Sequence, residues 1–240
     1  VSTNESPHKV EIHHDHADVA GGWLRPAVFG AMDGLVSNAA LMAGVAGGAG
    51  GDSSAVALAG LAGLAAGAFS MAAGEYVSVR SQSELAAAEI EIERAELLAR
   101  PEAEAAELVA LYVSRGVPRP LAEQVVAELS KDPATALEVH TREEIGIHPA
   151  DLPSPWVAAG SSFVAFALGA VVPVLPYLFG VDVIAVSLGL ALLALFLCGA
   201  LVSRVTTRSW WFSGLRQAAI GAAAAGLTFA LGSLVGTGLG

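Results

Sequence analysis

Apolar and small residues gather into five runs, 25–47, 54–79, 155–179, 182–203 and 214–238. Each is long enough to cross the roughly 30 Å hydrocarbon core of a bilayer as a helix. The first two runs are joined by AGGAGGDSS, a glycine-rich turn, and the third and fourth by a tight turn near Gly180. A polar stretch, 80–153, separates the second run from the third, and a histidine-rich tail, 1–22, precedes them all. The pattern predicts an all-α membrane protein. It has five transmembrane helices, with a helical insertion between the second and third spans. Four units follow: the tail 1–22, spans one and two in 23–79, the insertion 80–153, and spans three to five in 154–240.

The insertion carries helical rather than loop patterning. SQSELAAAEIEIERAELLA continues the second run with no glycine or proline to stop it, so that helix is expected to project out of the bilayer. Pro101 restarts a helix that Gly116 ends. RPLAEQVVAELSKD and PATALEVHTREEIG follow, each with a proline suited to a first helical turn. Leu108, Leu111 and Tyr112 predict one apolar face, and Leu121, Val125, Val126 and Leu129 another, enough for a small bundle.

Composition agrees with a membrane chain: mean hydropathy is +0.61 and 54% of residues are hydrophobic. The 27 glycines suit close helix packing in lipid. The single cysteine, Cys198, excludes an intrachain disulfide framework and argues against a thiolate zinc site. No basic patch suggests a nucleic-acid partner. The net charge of −11 is concentrated in the insertion. Arg25, Arg80, Arg204, Arg208 and Arg216 flank one set of span ends, whereas the opposite loops carry only Asp52 and Asp182. The positive-inside rule then places the N-terminus and the insertion in the cytoplasm and the C-terminus across the membrane. Trp23, Trp156, Trp210 and Trp211 fall at that cytoplasmic interface. The compact chain and the lack of a targeting segment suggest a bacterial inner membrane.

Candidate chemistry starts with Asp33, an acid within the apolar run 26–47. A charge at that depth costs about 3 kcal/mol on insertion scales, so such residues mark ion paths or paired charges. Asp33 lies about 12 Å inside Arg25, and Met71 about 13 Å inside Arg80 on the antiparallel second span, at 1.5 Å per residue. Glu75 is one turn from Met71. Gly63 and Gly67 continue that face, and Gly30 and Gly34 bracket Asp33, leaving room for an ion. A carboxylate with a thioether suits a transition metal better than Mg2+ or Ca2+. Ordinary packing is the competing reading of Met71.

The insertion offers a second set. Glu89, Glu93 and Glu96 share one helical face, Glu104 and Glu107 another, and His140 and Glu144 a third. Carboxylates and an imidazole from three helices make a pocket for Fe2+, Mn2+ or similar ions. A solvated acidic face is the alternative. In the tail, His13, His14 and His16 offer weak metal capture, or are incidental histidines of a disordered segment.

WLRPAVFGAMDGLVSNAALMAGVAG and AGLAGLAAGAFSMAAGEYVSVRSQ, then ALEVHTREEIGI, SSFVAFALGAVVPVLPYL and SGLRQAAIGAAAAGLTF, closely resemble the vacuolar iron transporter family. The resemblance covers nearly all of the chain after the tail. It implies a five-span homodimer, not an enzyme, that exports Fe2+ and related divalent ions from the cytosol in exchange for protons. It implies a cargo metal and no organic cofactor. Asp33, Met71 and Glu75 match the family's transport-path residues. Glu93, Glu96, Glu104, Glu107 and Glu144 match its cytoplasmic metal-binding glutamates, and His140 stands where plant members often have methionine. Rival readings are a membrane-anchored iron sensor or buffer and a passive metal channel. A ferritin-type iron oxidase is disfavoured, because the insertion's helices lack Glu-x-x-His pairs.

Overall fold

The computed structural model describes residues 22–147, 152–204 and 208–239. All regular structure among them is helical: α1 Leu24–Gly48, α2 Ser53–Ala99, α3 Pro101–Ser114, α4 Arg119–Leu129, α5 Pro133–His140, a π-helical turn Thr141–Ile145, α6 Pro155–Val171, α7 Leu175–Leu178, α8 Ile184–Val202 and α9 Trp210–Leu239. Five of these stretches are long and apolar enough to cross a membrane. The chain is a multi-pass membrane protein.

α1 is the hub, packing against α2, α6, α8 and α9. Small residues permit this. A methyl group added at Gly30 or Gly34 would lie 2.8 Å from the Ser162 carbonyl oxygen or 2.3 Å from that of Phe166, so α1 and α6 touch backbone to backbone. Gly44 and Gly48 meet Gly232 and Gly236 of α9 in the same way. The small-residue pairs Gly30/Gly34 and Gly232/Gly236 are therefore used inside the protomer. The contacts run in one direction for α1 with α6 and α9 and in the opposite direction for α2, whose Gly63 faces Asn38 and whose Gly60 faces Met42. α8 runs antiparallel to α9, with Gly221 at Leu195 and Gly199 at Ser213. Trp23, Trp156 and Trp210 accordingly share one end of the bundle, where Tyr76 and Trp156 pack with ring centroids 4.7 Å apart.

α2 runs unbroken from the Asp52 cap, whose carboxylate accepts from the Ser54 and Ala55 amides, through the apolar half and out to Ala99. The third span departs from a single helix over 155–179. It breaks after Val171, because Pro173 has no N–H to continue the ladder. The Ala170 carbonyl, which Val174 would serve in a regular helix, instead accepts from Asn38 Nδ2 at 2.6 Å, while the Val174 amide bonds to Val171. A neighbouring side chain thus restores a backbone bond lost inside lipid.

α3, α4 and α5 fold beside the outer half of α2 around Leu108, Val109, Ala122 and Val126, with Leu111, Tyr112 and Val139 against them. The inward face of α4 is Ala122 and Val126. Leu121 and Val125, expected on it, are exposed, since the shorter Ala122 allows α3 and α4 to approach. Gly116 and Gly146 end their helical segments with φ of 94° and 73°.

Candidate metal centre

Four side chains from three helices and the π-helical turn converge at the outer part of α2. Glu93 comes from α2, Glu104 from the first turn of α3, His140 from the end of α5 and Glu144 from the π-helical turn. Each offers a donor atom, and these atoms all lie within 4.8 Å of one another. Glu93, Glu104 and His140 are 5%, 4% and 1% exposed. The Glu144 side chain, 24% exposed, forms the lip.

His140 Nδ1 is 3.2 Å from Glu93 Oε1 and 3.2 Å from Glu144 Oε1. Glu93 Oε1 and His140 Nδ1 are nevertheless buried without an aligned hydrogen bond. The distance is that of an ion pair, but the angles are not those of a donor and its acceptor. Buried polar atoms left in this way are costly unless something else satisfies them. Their common focus, with three oxygens and one nitrogen, is the donor set of a divalent transition-metal site.

Electrostatics point the same way. Burial first, then the nearby carboxylates of Glu144, Glu104, Glu96 and Glu107, push the Glu93 carboxyl up to about 7. Burial also raises Glu144; His140 opposes this, and Glu107 and Glu104 add to it. A cation placed among these acids would relieve the repulsion and release their protons.

Of the seven candidates in the insertion, the fold brings Glu93, Glu104, His140 and Glu144 into one group. Glu96 and Glu107 are near enough to act on Glu93 but lie outside that group, and Glu96 is bonded to Arg100 at 2.7 Å. Glu89 is part-buried one turn below Glu93, also outside it. His13, His14 and His16 lie outside the described residues.

The intramembrane candidates are arranged differently. Asp33 is partly exposed on α1, in line with exposed Phe29 and Ser37, a short stripe that stays uncovered as far as Leu41, whose side chain reaches Gly63 of α2. Ser37 Oγ donates to the Asp33 backbone carbonyl at 2.6 Å. The Asn38–Gly63 and Met42–Gly60 pairs set the register of α1 against α2. Extended, it places Ala68 level with Asp33 and Met71 about 4 Å nearer the Arg80 end, at 1.5 Å per residue. Met71 is part-buried against Ala68, Phe166 and Ala170, and Glu75 is part-buried one turn beyond it. The space expected at Gly63 and Gly67 is occupied: Asn38 Oδ1 and Leu41 fill the first notch, and the Phe166 ring fills the second.

Asn38 is the residue that sequence reasoning passed over. It is 2% exposed, it repairs the break in the third span, and its Oδ1 has no partner. The signal was an amide in one apolar run together with prolines in another.

Comparison with known proteins matches residues 24–233 to the model of the VIT family. The chain is 33% identical over 232 residues to Vacuolar iron transporter 1 of Arabidopsis thaliana, covering 94% of this chain and 91% of that protein. It is 32% identical to Vacuolar iron transporter 1 of Eucalyptus grandis over 237 residues, covering 96% and 94% respectively. A Vacuolar iron transporter of Acanthamoeba castellanii is 40% identical over 162 residues, 64% of this chain and 55% of that protein.

Proposed function

The chain belongs to the VIT family, and from that premise we propose that it moves divalent transition-metal ions, Fe2+ foremost, out of the cytosol. The observation that carries this reading is the four-donor cluster of Glu93, Glu104, His140 and Glu144, whose Glu93 stands on the same helix as the second candidate membrane span. The relatives are named as iron transporters rather than as enzymes.

In this reading residues 80–153 form a cytosolic capture domain, with Glu89, Glu96 and Glu107 as its acidic approach, and the tail 1–22 lies on the same side. The clustering of Trp23, Trp156 and Trp210 with the arginine-flanked ends supports that orientation. Metal captured there passes by Glu75 and Met71 to Asp33. Export from the cytosol has the same direction whether the far side is a vacuole, as in the relatives' names, or the outside of a bacterial inner membrane.

Asp33 also supports a homodimer. Its carboxylate stands on an uncovered stripe of α1, and a lone charge facing lipid is costly. A second copy across a two-fold axis covers the stripe and supplies a second carboxylate, so that two negative charges balance one divalent ion. Protons compete with metal for the same groups, which provides an exchange mechanism.

A buffer would need the cluster in the insertion but not Asp33. The test is metal uptake into proteoliposomes containing the full chain, with Fe2+, Mn2+, Co2+, Ni2+ and Zn2+, with and without a pH gradient. Uptake of Fe2+ that a gradient accelerates is the expected result. Binding without uptake would leave a buffer, and uptake indifferent to the gradient would leave a channel.

A further inference from the structure

Glu144 is the one donor of the four that sits outside a regular α-helix. Its backbone belongs to the π-helical turn Thr141–Ile145, which starts with Thr141 Oγ bonded to the Leu137 and Glu138 carbonyls and ends at Gly146. The side chain is also the least buried of the group, so the fold alone restrains it least. One contact reaches this turn from elsewhere. Arg115, directly after α3, pairs through Nη1 with the Glu143 carboxylate and donates through Nη2 to the Glu143 backbone carbonyl at 3.2 Å. Among the described residues, every other ion pair made by an arginine or lysine joins positions three or four apart in the same segment or across one turn. This one spans 28 positions and joins the end of α3 to the turn that carries Glu144.

We propose that Arg115 is a positioning residue for the capture site. Its planar fork grips both the side chain and the backbone of Glu143, a geometry a point charge cannot reproduce. It thereby holds the neighbouring Glu144 within reach of Glu93, Glu104 and His140 before metal arrives. Successive residues of a helical turn point in different directions, so Glu143 can be held by Arg115 while Glu144 faces the site. The clamp also keeps the Glu143 carboxylate paired, apart from the three carboxylates of the cluster. The inference rests on the capture reading above.

The experiment titrates Co2+ into the purified full-length chain in detergent, by calorimetry, for the wild type, R115A, R115K, the swap R115E/E143R and E93Q. Metal-free melting midpoints are measured alongside. Loss of an outer partner of a metal ligand typically weakens binding about 10–100-fold. R115A is expected to weaken Co2+ binding at least about tenfold with stoichiometry unchanged. R115K should recover part of the loss and the swap most of it, while the midpoints stay close together because a pair whose arginine side chain is half exposed adds little to stability. The clamp is overturned if E93Q loses binding while R115A keeps wild-type affinity, or if the swap binds as weakly as R115A. An E93Q variant with wild-type binding would instead overturn the capture site itself.

Discussion

His140 Nδ1 stands 3.2 Å from Glu93 Oε1, joining the end of α5 to the outer half of α2 across a buried gap with no aligned hydrogen bond. An ion between these atoms would satisfy both. Replacing the imidazole in H140A is expected to lower metal affinity at least as much as losing an outer partner does, about 10–100-fold. H140M, which offers a softer donor, should recover binding selectively and shift preference away from ions that favour imidazole. Parallel titrations with Mn2+, Co2+ and Ni2+ would read this out; equal affinities for the wild type and both variants would remove His140 from the ligand set.

Glu93 makes the metal-free protein sensitive to pH. Its carboxyl sits at about 7 in the fold against an ordinary value of 4.5. Between those values the folded state holds a proton that the unfolded state has released. Stability is therefore greatest at the acid end of the window, falls as pH rises, and has lost this contribution above about 7. The metal-free melting midpoint should be higher at pH 5 than at pH 7.5, and E93Q should flatten the difference. Saturating metal should reverse the slope, because the ion takes the proton's place.

Transport and capture should separate by mutation. D33N or D33A is expected to abolish uptake into proteoliposomes while leaving Co2+ binding to the solubilised chain unchanged, since Asp33 lies in α1, remote from the cluster on the outer half of α2. E93Q with E104Q should do the opposite at low metal concentration: weak binding, with uptake restored as metal is raised. A D33A variant as active as wild type would end the assignment of Asp33 to the path.

The backbone contact of α1 with α6 sets a steric test. A methyl group at Gly34 would sit 2.3 Å from the Phe166 carbonyl oxygen and 2.9 Å from the Ala170 nitrogen, so the helices must separate to admit it. Overpacking of this kind typically costs about 1–3 kcal/mol. G34A should lower the melting midpoint in detergent, whereas the same change at Gly74, where a methyl group meets nothing within 4 Å, should leave it unchanged.

The spans were legible because lipid allows one solution to an apolar run of that length, a helix that satisfies its own backbone. The projecting half of α2 was legible because nothing from Tyr76 to Ala99 breaks a helix. Which acids meet was less so. Glu89, Glu93 and Glu96 share a face, yet only Glu93 joins the four-donor group, because docking of α3 and α5 selects one turn of that face. The glycines misled for a related reason. Composition identifies a notch but not its occupant, and those at Gly63 and Gly67 receive Asn38, Leu41 and Phe166. Arg115 carried no sequence signal, since its partner lies far along the chain.

α2 is one rod of 47 residues, about 70 Å at 1.5 Å per residue. Its four glycines, Gly60, Gly63, Gly67 and Gly74, all fall in the apolar half, and the outer half contains neither glycine nor proline. Such a rod has no hinge between Glu75 and Glu93. If closure of the capture site on an ion tilts the outer end, the inner end must swing with it against α6, with the glycine-lined contacts as its bearing. Loading of the antenna would then be felt at the gate as leverage, with no relay of residues between them.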